Sequence, residues 1–191
     1  MEKDRLAAFS DGVIAVIITI MVLDLHIPHN PSLPALRADW PVFVSYVLSF
    51  VYVAIYWNNH HHFFHLVGKV NGAILWANMH LLFWLSLIPF TTGWLGVNGS
   101  APWPAALYGA TLLMTALAWY VMQRVIIRSQ GPDSALQQAL GNDFKGRFSP
   151  LLYLTGIFLA FVHVWMAEAV YALVALLWLV PDRRVEAFTA E

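Results

Sequence analysis

Apolar residues run along this chain in six long segments separated by short polar stretches. The first covers residues 6–25, with the core V-I-A-V-I-I-T-I-M-V-L. The second covers 40–64 and ends in the polar cluster W-N-N-H-H-H; the third covers 72–95 and carries an internal I-P-F-T-T. The fourth covers 103–125, the fifth 148–167 and the sixth 169–180. A bilayer-spanning helix needs about 20 apolar residues, so the pattern predicts an all-α membrane protein with six transmembrane helices in one domain, residues 1–191. The sixth segment is short for a span, about 12 residues, and is expected to begin before Glu168. Between the first two segments, residues 26–39 hold Pro28, Pro31 and Pro34, which block a continuous helix. Residues 128–147 are the one long polar stretch and read as a solvated connection.

Composition agrees with the pattern. Of 191 residues, 60% are hydrophobic and only 11% charged. A soluble domain carries about 25% charged residues, so this chain could not coat a water-facing surface of its size. A cleaved signal peptide is the rival reading of the first segment, but Asp11 interrupts its start and no small-x-small cleavage site follows. The net charge of −1 argues against nucleic acid as a partner. With no cysteine, disulfides, thiolate metal sites and Cys nucleophiles are absent.

The basic residues orient the spans. Six spans put the N-terminus, the second and fourth connections and the C-terminus on one side. Those segments hold Lys3, Arg5, Lys69, Arg124, Arg128, Lys145, Arg147, Arg183 and Arg184, while the opposite side holds only Arg37. Positive residues stay cytoplasmic, so both termini are expected in the cytoplasm. Trp40, Trp94, Trp103 and Trp178 fall near span ends, as an aromatic belt requires.

Polar groups inside spans are expensive and mark function or helix contacts. Arg5 and Asp11 lie on opposed faces of one helix, so Asp11 needs a donor from another helix, and a buried histidine is a candidate. On the far side of the same helix, Gly12, Thr19, Ile20 and Leu23 fall within about 60° of Val16, while Asp11 lies about 140° away. That stripe fits either an ordinary packing face or a pore wall with hydrophobic constrictions and one ring of hydroxyls. Residues 60–65 contain His60, His61, His62 and His65, and His61 with His65 has the helical spacing of two metal ligands. No carboxylate or cysteine lies nearby in sequence and H-E-x-x-H is absent, which favours interfacial histidines with one buried as a hydrogen-bond partner. His80 and His163 stand on different segments, a spacing open to haem but more often to a hydrogen bond with a neighbouring helix.

These residues together resemble a known family. R-x-x-x-F-S-D-G, here Arg5, Phe9, Ser10, Asp11 and Gly12, looks like the signature of the transmembrane protein 175 family, potassium channels of endosomes and lysosomes with shorter prokaryotic relatives. W-N-N-H-H at residues 57–61 and the spacing of Asn78 to Pro89 and Phe90 agree. With one F-S-D, the chain resembles the prokaryotic single-repeat kind. The resemblance implies a homotetramer around a central pore lined by the first helix. It implies apolar constrictions at Val16, Ile20 and Leu23, with Thr19 as the hydroxyl layer near which potassium permeates. It implies a structural hydrogen-bond network joining Arg5, Ser10 and Asp11 to His60 and Asn78. The first constriction is often Ile or Leu in the family, so Val16 leaves a wider ring. The expected function is passive, potassium-selective conduction with a proton leak in a prokaryotic plasma membrane, with no enzyme activity, cofactor or bound metal beyond the permeant ion. The alternative is a secondary transporter or proton-coupled carrier using Asp11 and the membrane histidines.

Overall fold

The structure, a computed structural model, describes residues 2–131 and 144–179. Every regular element among them is helical: α1 Lys3–Met21, continued by a 3₁₀ turn Val22–Asp24, then α2 Leu33–Ala38, α3 Trp40–His65, α4 Gly72–Ser86, α5 Ile88–Val97, α6 Pro102–Gln130, α7 Phe144–Ala160 and α8 Val164–Leu179. Among the described residues four helical stretches are long and apolar enough to cross a membrane: Lys3–Asp24, Trp40–His65, Gly72–Val97 and Pro102–Gln130; α8 is a shorter apolar helix. The protein is a multi-pass membrane protein. The end of the sixth segment at Val180, most of the 128–147 connection, and Arg183 and Arg184 lie outside the described residues.

Local chemistry sets the helix ends. Asn71 caps α4 by accepting from the Ile74 amide at 3.0 Å, and Ser32 caps α2 by accepting from Ala35. The third span is broken at Leu87 because Pro89, in the first turn of α5, has no amide to continue the ladder. Thr91 and Thr92 hydroxyls donate to the Leu87 and Ile88 carbonyls, satisfying backbone oxygens where no water reaches. Gly131 ends α6 at φ 91°, a conformation natural only to glycine.

The sixth segment begins before Glu168, as its shortness requires, and its boundary with the fifth lies upstream of the 167/169 division of the apolar pattern. The turn lies at Phe161–His163, closed by amides of Val162 and His163 on the Leu159 carbonyl at 3.0 and 2.8 Å. No glycine or proline marks it. Glu168, the polar residue that suggested the break, sits in the second turn of α8.

Two apolar clusters share α3 and α6. One packs α1, α3, α4 and α6 around Ile14, Ile17, Phe64, Leu81 and Met122. The other packs α3, α5, α6, α7 and α8 around Tyr52, Tyr108, Leu112, Tyr153 and Tyr171. Lipid tails are as apolar as leucine, so helix association relies on close backbone approach and interhelical hydrogen bonds. Both are present. Gly109 of α6 and Gly156 of α7 leave room for the Tyr171 ring of α8, whose hydroxyl donates to the Ala105 carbonyl at 3.1 Å. Tyr52 donates to the Tyr171 carbonyl at 2.5 Å, and the Ser49 hydroxyl lies 2.6 Å from that of Thr92 and 2.9 Å from that of Tyr108. This ladder ties α3, α5, α6 and α8 together.

A Cβ at Gly109 would overlap the Tyr171 hydroxyl and lie 2.9 Å from Ile157. Gly109→Ala is therefore expected to destabilise the bundle by about 1–3 kcal/mol. Thermal unfolding in detergent checks this, with Gly68→Ala, which meets open space, as the unaffected comparison.

Candidate functional site

The site is built on α1. Its stripe Leu6, Ser10, Ile14, Ile17 and Met21, at helical spacing, is buried against α3 and α4. The opposite stripe is bare: Val16 is 54% exposed, Ile20 46% and Leu23 78%. Gly12 and Thr19 are exposed on the same face, and a Cβ added at Gly12 would meet nothing. The five positions grouped by helical angle thus share one uncovered, nearly continuous apolar face. The face borders a groove lined by Phe9, Val13, Val16 and Ile20 on one side and Ser86, Pro89 and Phe90 on the other. Phe9 is half exposed at the N-terminal part of this groove.

Thr19 has a particular electrostatic character. Its Oγ1 donates to the Val16 carbonyl at 2.9 Å. The proton is therefore used inside the helix, and the oxygen is left as an acceptor on an exposed face.

A buried polar link holds α1 in place. Ser10 Oγ donates to the Leu6 carbonyl at 2.9 Å and accepts from Asn78 Nδ2 at 2.9 Å. Asn78 Oδ1 in turn lies 2.8 Å from His60 Nε2, so His60 is the donor of that bond. All three side chains are fully or almost fully buried, and the His60 ring stacks on Phe64. One hydroxyl from α1, one amide from α4 and one imidazole from α3 thus satisfy one another where water is absent.

Asp11 is served separately. Trp57 Nε1 of α3 donates to Asp11 Oδ1 at 3.0 Å. The donor is an indole rather than the buried histidine that the sequence suggested. The reason is rotational: His60 points between α3 and α4, while Trp57, one turn earlier, faces α1. An indole N–H is a donor only and needs an acceptor, which is the signal sequence reasoning overlooked. Arg5 is exposed, and among the described residues its side chain joins neither link. The remaining histidines do not gather further ligands. His61 and His65 face each other at 3.1 Å, His80 accepts from Trp84 on its own helix at 3.0 Å, and His163 is exposed. Among the described residues no three His or acidic side chains are placed to hold a metal ion.

With this geometry known, the relatives are informative. The sequence model of the endosomal/lysosomal potassium channel TMEM175 matches residues 5–89, the stretch that contains most of α1, His60 and Asn78. A potassium channel of Chryseobacterium sp. is 52% identical over 186 residues, covering 97% of each chain. The chain belongs to the TMEM175 family. A solved structure, that of a lysosomal potassium-selective channel TMEM175 homolog from Chamaesiphon minutus, superposes with a TM-score of 0.83 at 29% identity, over 95% of this chain and 98% of that one. The endosomal/lysosomal proton channel TMEM175 of Gallus gallus is 31% identical over 101 residues, 47% of this chain and 20% of that protein. These TMEM175 relatives are named as channels, not as enzymes.

Asn78→Ala strands the buried His60 imidazole at about 1–3 kcal/mol and also removes the bond that Ser10 accepts. Trp57→Phe removes one hydrogen bond at a partly exposed position, worth about 0.6–2 kcal/mol in a membrane bundle. Thermal unfolding of the two variants should therefore rank Asn78→Ala as the more damaging. The opposite ranking would show that the Asp11 link carries more than the buried one.

Proposed function

We propose that this chain assembles as a homotetramer around an axial pore lined by α1 and conducts potassium ions passively across a prokaryotic plasma membrane. The observation that carries the reading is the uncovered face of α1. A helix that buries one stripe against α3 and α4 leaves Val16, Thr19, Ile20 and Leu23 without a partner inside the subunit. Four copies of that face, turned inward, make a narrow apolar neck with one layer of oxygens.

The neck accounts for conduction as follows. Apolar rings at Val16, Ile20 and Leu23 admit an ion only after it sheds part of its hydration shell. Thr19 supplies acceptor oxygens at that depth, because its proton is held by the Val16 carbonyl. Potassium, which is more weakly hydrated than sodium, loses less by this exchange. Four hydroxyls replace less water than stacked carbonyl rings do, so discrimination is modest and protons leak. No cofactor takes part. Ser10, Asn78 and His60, with Asp11 and Trp57, hold α1 at the angle that keeps its stripe on the axis.

The same reading takes residues 1–191 as a single six-span channel domain with both termini cytoplasmic. α7 and α8 supply the last two spans. At 17 and 16 residues they measure about 25 Å each, short enough to need local thinning or end residues that snorkel. The nine-to-one split of basic residues supports the orientation.

Three experiments test the proposal. Purified protein in liposomes should release potassium faster than protein-free vesicles, without saturation and without a coupled proton gradient; saturable, pH-coupled flux would favour a carrier. Thr19→Ala should keep the flux and lower the potassium-over-sodium permeability ratio several-fold. For topology, the cysteine-free chain permits clean labelling. Ser100→Cys should react from the outside and Ser129→Cys only after permeabilisation.

A further inference from the structure

The bare face of α1 does not end at Leu23. The next residue, Asp24, is exposed and lines the same groove as Val16 and Ile20. Its carboxylate lies against Gly93 of α5, where an added Cβ would sit 3.2 Å from Asp24 Oδ2 and 3.3 Å from Cγ. Glycine at this point lets the acid lie flat along the seam between the two helices. Among the described residues the carboxylate has neither an ion-pair nor a hydrogen-bond partner.

An acid is disfavoured here on local grounds. The C-terminal end of a helix carries a partial negative charge of about half an electron, and a carboxylate adjoining it is repelled. The last turn of α1 has no basic residue to offset this. A position that violates the local rule without a compensating contact points to function. Here the two negative sources, helix carbonyls and carboxylate, add at one place, directly beyond the last apolar ring.

We propose that Asp24, contributed by each subunit, forms an acidic ring at the outer mouth that concentrates cations outside the Leu23 constriction. The inference rests on the tetrameric channel reading. A carboxylate in a hydrated mouth attracts potassium and sodium alike, so the ring governs conductance, whereas the neck governs choice. From Thr19 to Asp24 the helical rise is about 8 Å. That is about one Debye length at physiological salt and well beyond the ~3 Å of 1 M salt. The influence of the ring on ions at the neck is therefore strong in dilute electrolyte and absent in concentrated electrolyte.

The test is single-channel recording of the reconstituted full chain in potassium chloride. At about 0.05 M, Asp24→Asn should lower potassium conductance roughly twofold or more, with inward current reduced most; at about 1 M it should equal the wild type. The permeability ratio should not move, and Asp24→Glu should restore conductance. A second variant keeps the test independent of folding. Asp24→Cys in this cysteine-free chain, once conducting, should gain conductance after modification with a sulfonate-bearing thiol reagent and lose it with an ammonium-bearing one. Equal conductance of Asp24→Asn and wild type at every salt concentration, or modification insensitive to reagent sign, overturns the acidic ring alone. A wild type that passes no potassium overturns the channel reading and the ring with it.

Discussion

Inside a bilayer a polar side chain has no water to return to, and the buried link from Ser10 through Asn78 to His60 meets that constraint with three helices at once. Asn78 is at the centre: its amide nitrogen donates to α1 and its carbonyl oxygen accepts from α3. Slide or rotate any of the three helices and at least one group is left unsatisfied. The link therefore fixes the rotation of α1 about its own axis, and that rotation decides which stripe is buried and which is left bare. The bare face is a consequence of where the bracing polar groups sit on the opposite side.

The rest of the bundle follows the same logic with different residues. Around Tyr171, glycines on two neighbouring helices replace side chains by close approach, and tyrosine hydroxyls reach backbone carbonyls across helices. This second cluster packs against α3 and α6, which are shared with the cluster that carries α1. Packing around Tyr171 thus reaches α1 through two long helices.

Much of this was legible in the residues, for physical reasons that differ by element. α3 and α6 begin within a residue of their expected starts because Trp40, Pro41 and Pro102 mark them chemically. The kink in the third span follows from Pro89. The bare stripe of α1 follows from a 3.6-residue period, which carries rotation as well as position. The turn at Phe161–His163 was hidden because three ordinary residues make it and a misleading acid follows. The donor to Asp11 was hidden too. Trp57 and His60 lie one turn apart on α3, and only packing against α1 decides which of them faces it. The tyrosine ladder was masked because tyrosines in apolar runs look like interface anchors until their partners are seen. Asp24 reads as an ordinary loop acid until it is found in the same groove as Val16 and Ile20.

The central claim is that the uncovered stripe of α1, and not its buried stripe, faces the ions. It is tested most directly by placing single cysteines along α1 in the cysteine-free chain and recording potassium current during thiol modification. The account predicts block after modification of Val16→Cys, Ile20→Cys and Leu23→Cys, and no block at Ile14→Cys, Ile17→Cys and Met21→Cys. Block confined to the second set, or an equal response in both, would contradict it.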